Sequence, residues 1–189
     1  MNEITIPRYK RGRELVWHDE FENSVLDSSK WSMRRTMTCP DAVYVNDSAH
    51  IEIKDNMLNL YVHKSESNEK PFSLPEGLTT MERMCFRYGY VEARLRLPFR
   101  HGAWPSFWMK TNTEFSKADY MAEIDILEVF SSPKNVVSNL HKWGRGLHVM
   151  LPGGEGSSKR AYTFKDYENL NDEFHVYGLE WDQNFMSFY

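Results

Sequence analysis

The chain has 189 residues, of which 41% are hydrophobic and 26% are charged, and its formal net charge is −4. This length allows one domain with a sizeable core but not two of ordinary size, so we expect a single domain over residues 1–189 with a polar tail at residues 1–14. The longest basic run, Lys10–Arg13, lies in that tail, which disfavours a nucleic-acid partner. No run approaches the roughly 18 apolar residues of a membrane span, so no membrane partner is expected.

Composition leaves two questions open. The N-terminus lacks the apolar core of a signal peptide, yet this does not fix the compartment. Cys39 and Cys85 could form one disulfide or remain two buried thiols.

The six Trp, ten Tyr and eleven Phe are more than a small core needs, and surplus aromatic rings often line sites for ring-shaped ligands.

In chain order, the predicted elements are short strands. Most alternate apolar with polar residues and are bounded by Gly, Pro, Asn or Asp. Asp55 and Asn56 predict a two-residue turn that folds the second segment into a hairpin. Many short strands at this spacing indicate an all-β sandwich or barrel. The predicted strand segments are Leu15–Phe21, His50–Lys64, Gly89–Pro98, Trp104–Lys110, Ala122–Phe130 and Phe174–Asp182.

Three carboxylates, Glu123, Asp125 and Glu128, interrupt an apolar segment. A helix would place Glu123 and Glu128 about 140° apart, so they could not face one ligand. A regular strand would put Glu123 and Asp125 on one face and Glu128 on the other. A β-bulge between Asp125 and Glu128 brings all three to one face, and bulges are frequent beside active sites. We therefore predict such a bulge, with Ile124, Ile126 and Val129 on the core side.

A row of close carboxylates suits glycoside hydrolysis. Like charges raise one another's pKa until one acid tends to keep a proton near neutrality. The reaction needs one ionised carboxylate to attack the sugar and one protonated acid to donate to the leaving oxygen. Two simpler interpretations stay open: acids on the solvent face of a half-buried strand, and a calcium site built from carboxylate oxygens.

The sequence "EIDILE" (Glu123–Glu128) resembles the E-x-D-x-x-E signature of glycoside hydrolase family 16, in its laminarinase-like branch with a bulged catalytic strand. The resemblance implies a jelly-roll β-sandwich of two bent antiparallel sheets with a concave cleft, and a retaining endo-acting enzyme. It assigns Glu123 as nucleophile, Asp125 as assisting acid and Glu128 as general acid/base. Further blocks resemble the family in its order: "LVWHDEFEN", "YGYVEARLRLP", "GAWPSFWMK" and "FHVYGLEWD".

The same resemblance suggests substrate-binding residues. Trp104 and Trp108 would share a strand face and stack on pyranose rings, although two core tryptophans are the alternative. His141 is similar to a family histidine that hydrogen-bonds the acids or the sugar, and a purely structural histidine is equally compatible with the sequence. Trp143 would share the face of His141. Asn46 resembles an asparagine beside the cleaved bond.

The sequence departs from the family in two places. Gly77 or Leu78 stands where many members carry an arginine, and whether Arg83 substitutes for it is open. The family also continues beyond Tyr189 with further strands, so we expect the catalytic domain to be incomplete in this sequence. The resemblance requires no cofactor and assigns no metal ligand, although it admits a structural calcium ion.

We expect a polysaccharide partner, a monomer, and a secreted or cell-surface location, the last from the family alone. The predicted substrate is β-1,3- or mixed β-1,3/1,4-glucan. Two alternatives stay open: a red-algal galactan hydrolase of the agarase, porphyranase or carrageenase kind, and a non-catalytic carbohydrate-binding relative or inactive fragment. The sequence does not distinguish them.

Overall fold

The computed structural model is all-β. The described residues contain fifteen strands and no helix, and accordingly no helix there is long and apolar enough to cross a membrane. They group into two compact units, Gly12–Cys85 and Phe86–Tyr189; the single-domain organisation stays a prediction. The structure describes residues 12–34, 42–45, 47, 49–66, 69–75, 77–98, 103–111, 121–129, 135–144, 147–150, 161–163 and 172–189.

The unit Gly12–Cys85 contains three small sheets. In one, β1 pairs with β7; in another, β2, β6 and β5 lie side by side; in the third, β3 pairs with β4. The β2–β6 pairing is parallel, whereas the rest of these pairs are antiparallel. The strands are β1 (Ser32–Met33), β2 (Ala42–Val45), β3 (Ile51–Lys54), β4 (Met57–Leu60), β5 (His63–Lys64), β6 (Phe72–Pro75) and β7 (Leu78–Thr79).

The predicted hairpin is confirmed. Strands β3 and β4 pair in register, with Ile53 opposite Leu58. Asp55 and Asn56 between them have φ values of 53° and 55°. Two successive residues with positive φ form a type I′ turn, whose twist matches that of the strands, and Asp and Asn tolerate this conformation better than most residues.

The strand predicted at Leu15–Phe21 is wrong, because this segment is not in a strand. The carboxylate of Asp19 accepts hydrogen bonds from the backbone N–H of Phe21, at 2.9 Å, and from the indole of Trp31, at 2.7 Å. Phe21 takes a positive φ of 53°. A local side-chain acceptor thus competes with a strand ladder for the backbone.

Two residues with open roles lie near the end of this unit. Arg83 donates from Nε to the carbonyl oxygen of Ser28 at 2.9 Å. Cys85 is exposed, so the buried-thiol interpretation is wrong for this residue, while Cys39 lies outside the described residues.

The unit Phe86–Tyr189 contains two larger sheets. In the first, β12, β11, β10 and β9 lie side by side, and β13 also pairs with β11; in the second, the order is β15, β14, β8. All of these pairings are antiparallel. The strands are β8 (Gly89–Leu95), β9 (Ser106–Lys110), β10 (Met121–Glu128), β11 (Asn135–Gly144), β12 (Leu147–Met150), β13 (Ala161–Thr163), β14 (His175–Trp181) and β15 (Met186–Phe188).

The core of this unit lies between the two sheets. Leu127 on β10 is fully buried and clusters with Tyr177 on β14. Ile124 and Ile126 cluster with Leu179, which is also almost fully buried. Apolar side chains from facing sheets interdigitate in this way in a β-sandwich. This packing fixes one face of β10 against the core and leaves its other face for polar side chains.

Candidate active site

The predicted β-bulge is present on β10. Asp125 pairs with Asn139 and Glu128 with Val137 on β11, so three steps on β10 match two on its partner. The pairing of β10 with β9, on the other side, shows the same shift. Asp125 pairs with Trp108 and Leu127 with Phe107, so two steps on β10 match one step on β9. One extra residue therefore stands between Asp125 and Leu127, which identifies Ile126 as the inserted position.

The side chains on and directly after β10 lie on the two faces as predicted. Ile124, Ile126 and Val129 are buried on the core side with exposed fractions of 8%, 3% and 4%. Glu123, Asp125 and Glu128, which we call the acid row, share the other face by register with β9 and β11. The hydroxyl of Ser138 donates to the carbonyl oxygen of Ile126 at 2.9 Å and so holds the bulged backbone.

Asp125 lies at the centre of the acid row and is 3% exposed. Its Oδ2 atom lies 2.9 Å from Nε2 of His141, which is itself buried. Burial raises the pKa of Asp125 to about 8, and the charges of Glu128 and Glu123 and a hydrogen bond with Glu128 act in the same direction. Asp125 therefore holds a proton at neutral pH.

Glu128 is held at both carboxylate oxygens. The indole Nε1 of Trp104 donates to Oε1 at 3.0 Å, and the amide Nδ2 of Asn139 donates to Oε2 at 2.9 Å. The Trp104 side chain is 66% exposed, so the interpretation as a core tryptophan is wrong for it. Asn139 is half-buried on β11. Each oxygen of this carboxyl group therefore accepts one N–H hydrogen bond.

The other predicted binding residues have different outcomes. Trp108 on β9 is half-buried and pairs directly with Asp125, so it lies on the face of the acid row. Trp143 pairs with Met121 on β10, beyond the acid row, and only its backbone position is described. Asn46 lies outside the described residues. His141 pairs with Glu123 and its Nε2 lies 2.9 Å from Oδ2 of Asp125, while its role in holding the acids stays a prediction.

One group within the described part of the chain could hold a metal ion: Glu123, Asp125 and His141, whose ligand atoms lie within 4.8 Å of one another. Calcium takes about six to eight oxygen ligands, whereas this group offers two carboxylates and an imidazole. It therefore does not fit the expected structural calcium ion, which stays a prediction.

Asn139 is the site residue that sequence reasoning missed. It stands two residues before His141 on β11, so it shares that face of the strand. This spacing was the available signal, but an asparagine in a strand suggests no chemistry until its partner across the bulge is known. The assembled site offers two outer carboxylates, a proton-bearing acid between them and two aromatic side chains, a set suited to acid/base and nucleophilic chemistry on a sugar.

The chain is similar to proteins of one known family. The sequence model of the family described as "Glycosyl hydrolases family 16" matches residues 40–189. The chain is 25% identical to the glucan endo-1,3-beta-glucosidase A1 of Niallia circulans over 94% of its length. It is 26% identical to the beta-porphyranase E of Zobellia galactanivorans over 90% of its length. It spans 28% and 63% of these two relatives.

A solved structure establishes the fold. The laminarinase from Rhodothermus marinus superposes with a TM-score of 0.70 at 22% identity, and the match covers 93% of this chain and 70% of that one. The predicted jelly-roll β-sandwich is thereby confirmed as the fold class. Because the family model covers most of the chain, and the E-x-D-x-x-E residues lie on a bulged strand of that fold, the chain belongs to glycosyl hydrolases family 16, with the laminarinase-like pattern.

Proposed function

We propose that this protein is a retaining endo-β-glycanase that hydrolyses β-1,3- or mixed β-1,3/1,4-glucan. The observation that carries the proposal is the bulge at Ile126, because it brings Glu128 to the face that Glu123 and Asp125 occupy. Membership of the family supports glycosidic-bond hydrolysis. The relative from Niallia circulans is named as an endo-1,3-β-glucosidase, which supports a β-1,3-glucan substrate.

In the first step, a carboxylate oxygen of Glu123 attacks the anomeric carbon. The bond from that carbon to the leaving sugar oxygen breaks, and the proton of Glu128 passes to this oxygen. The products are a glycosyl ester on Glu123, an ionised Glu128 and a shortened polysaccharide. The N–H group of Asn139 then stabilises the carboxylate that Glu128 has become.

In the second step, water attacks the same carbon from the side that the leaving group vacated. Glu128 takes a proton from the water, the ester bond breaks and Glu123 returns as a carboxylate. Two displacements at one carbon give a product with the original anomeric configuration. Glu128 ends the cycle protonated, as it began.

Asp125 reduces the repulsion within the acid row. Three ionised carboxylates on one strand face would repel one another, and a pKa raised to about 8 keeps the middle acid neutral at pH 7. A neutral Asp125 leaves Glu123 as the ionised nucleophile and supplies an O–H donor inside the row. Nε2 of His141 lies 2.9 Å from Oδ2 of this carboxyl group.

A red-algal galactan is the second candidate substrate. The relative from Zobellia galactanivorans is named as a β-porphyranase and matches nearly the same share of this chain as the glucanase does. The three acids would act in the same way on either polymer. A secreted or cell-surface location is part of this proposal.

The test is reducing-end release from laminarin, mixed-linkage β-glucan, agarose, porphyran and carrageenan, by the 189-residue chain and by a form extended to the length of its relatives. We expect activity on laminarin that Glu123→Gln abolishes. Glu92→Gln, an equivalent change on β8 in the other sheet, serves as the matched control and should leave activity intact.

The outcomes separate the candidates. Activity on porphyran alone would replace the glucan by the galactan. Full activity of Glu123→Gln would refute the nucleophile assignment. A folded extended form that binds laminarin but cleaves none of the five polymers would replace the enzyme by a carbohydrate-binding protein.

A further inference from the structure

We propose that Asn139 positions the general acid/base: it fixes Oε2 of Glu128, so that Oε1 is the oxygen that carries and transfers the proton. This inference rests on the proposed function and goes beyond it, because it assigns the two oxygens of Glu128 different tasks. Its basis is a difference between the two N–H donors that contact this carboxyl group, Trp104 and Asn139, beside the hydrogen bond that it also makes with Asp125.

Asn139 is the more constrained donor. It lies on β11 directly opposite Asp125, between the stretch that pairs with β13 and the stretch that pairs with β12, and its side chain is half-buried. Its Nδ2 atom reaches Oε2 of Glu128 at 2.9 Å, across the bulge. An amide placed on a central strand keeps its direction when substrate arrives, because its backbone is held by ladder hydrogen bonds.

Trp104 is the more easily displaced donor. It precedes β9, and its side chain is 66% exposed, although its indole N–H reaches Oε1 of Glu128 at 3.0 Å. An exposed indole can move when a pyranose ring packs on its face. Movement of this kind frees Oε1 while Oε2 keeps its partner.

The chemistry of the carboxyl group then determines where the proton resides. An N–H that points at Oε2 favours a lone pair there and disfavours a proton, because two hydrogens would face each other. The same argument holds for Oε1 while the Trp104 indole contacts it, so the proton is directed to Oε1 once sugar displaces that indole. Without Asn139 the carboxyl group could rotate, and the proton would spend less time aimed at the leaving oxygen.

The experiment compares Asn139→Ala and the isosteric Asn139→Asp, which keeps size but loses the N–H donor, with Glu128→Ala and the unaltered protein. The form of the chain is whichever is active on laminarin. Two substrates are used: laminarin, whose sugar leaving group needs a proton, and a 2,4-dinitrophenyl β-glycoside of laminaribiose, whose phenolate leaves without one. Thermal unfolding of each variant monitors folding.

For both Asn139 variants we expect kcat on laminarin to fall by roughly ten- to a hundredfold, the loss expected for one hydrogen bond to a charged group. The first turnover of the dinitrophenyl glycoside should stay within about threefold of the unaltered protein, because it needs no acid. Glu128→Ala should show the same pattern more strongly. Because this variant lacks the general base, azide, which attacks without one, should restore its steady-state turnover and yield a β-glycosyl azide.

Equal losses on both substrates in the two Asn139 variants would mean that Asn139 is merely structural, and would overturn the inference. Full laminarin activity of Asn139→Ala, which has no side-chain donor, would also overturn it, since the N–H would then be dispensable. If Glu128→Ala lacks the substrate-selective pattern, the acid/base assignment itself is wrong and the inference falls with it. If Asn139→Ala does not fold, the same comparison of the two substrates is made with the isosteric Asn139→Asp alone.

Discussion

Replacing Asp125 by Asn should stabilise the protein near neutral pH while it lowers activity. The buried Asp125 carboxyl group has a pKa raised to about 8, chiefly by desolvation, whereas its ordinary value is 3.8. The folded protein therefore keeps a proton that the unfolded chain loses above about pH 4. Unfolding releases this proton throughout the interval, so the stability contribution is fully present below about pH 4 and is lost as the pH rises through 8.

The size of the effect follows from the shift. The difference between 3.8 and about 8 is about 4 pKa units, and at about 1.4 kcal/mol per unit the limit is about 6 kcal/mol above pH 8. Residual solvation reduces this limit, and so does the His141 imidazole at 2.9 Å whenever it is protonated. We expect the advantage of Asp125→Asn over the unaltered protein to widen by about 1.4 kcal/mol per pH unit above pH 5 until it levels off near the pKa of Asp125, which gives a rise of at least about 2 kcal/mol by pH 8.

The measurement is urea-induced unfolding of both proteins at pH 5, 6, 7 and 8, with the free energy of unfolding extrapolated to water. The difference between the two proteins should widen with pH, because Asn does not ionise. Glu92→Gln, which removes a carboxylate from the other sheet, gives the background dependence. A difference that stays constant over this range would refute the claim that Asp125 is protonated in the folded state.

Three further predictions test other parts of the structure. Trp104→Phe keeps an aromatic face but loses the N–H that contacts Glu128, so its KM for laminarin should stay near that of the unaltered protein. Trp104→Ala removes the aromatic face and should raise KM by roughly two- to tenfold. Equal KM values for the two variants would exclude stacking of sugar on Trp104. Leu127→Ala empties a fully buried site and should cost about 2–5 kcal/mol in urea unfolding, against less than about 0.5 kcal/mol for Leu60→Ala, whose side chain is 50% exposed; a loss below about 1 kcal/mol would contradict the described core. Asn56→Ala should cost about 1 kcal/mol because of its φ of 55°, while Asn56→Gly should be neutral or stabilising in the same assay; a stabilising Ala would contradict the type I′ turn.

The bulge on β10 could be predicted because it follows from counting. Glu123 and Glu128 are five residues apart, and a strand face repeats every two residues, so a common face requires one extra residue. The structure places that residue at Ile126. The hairpin at Asp55 and Asn56 was predictable for a similar reason, because both residue types accept the positive φ that the turn needs.

The alternation pattern could not predict that a side chain would take a backbone N–H of the segment from Leu15 to Phe21. The segment from Leu15 to Phe21 has the composition of a strand, yet Asp19 contacts Trp31, twelve residues away, and its carboxylate also captures the N–H of Phe21. An alternation pattern describes which faces a strand would have. It does not include a side chain that removes backbone donors from the ladder.

Side-chain contacts across the bulge also could not be predicted from the sequence. Asn139 and Glu128 are eleven residues apart on different strands, and their hydrogen bond depends on the register at the bulge. The exposure of Trp104 was likewise undetermined, since a tryptophan before a strand is compatible with core or cleft. Such features require the three-dimensional register, because single residue types do not encode them.

The central claim is that Glu123 forms a covalent bond with the sugar, and the most direct measurement is to trap that bond. A 2,4-dinitrophenyl 2-deoxy-2-fluoro-β-glycoside of laminaribiose slows hydrolysis of the glycosyl ester more than its formation, and mass spectrometry of the digested protein locates the label. We predict one glycosyl group per chain, on the peptide that contains Glu123, and none in Glu123→Gln. A label on Asp125 or Glu128, or active enzyme that releases the dinitrophenolate without any label and gives an inverted product, would contradict the account.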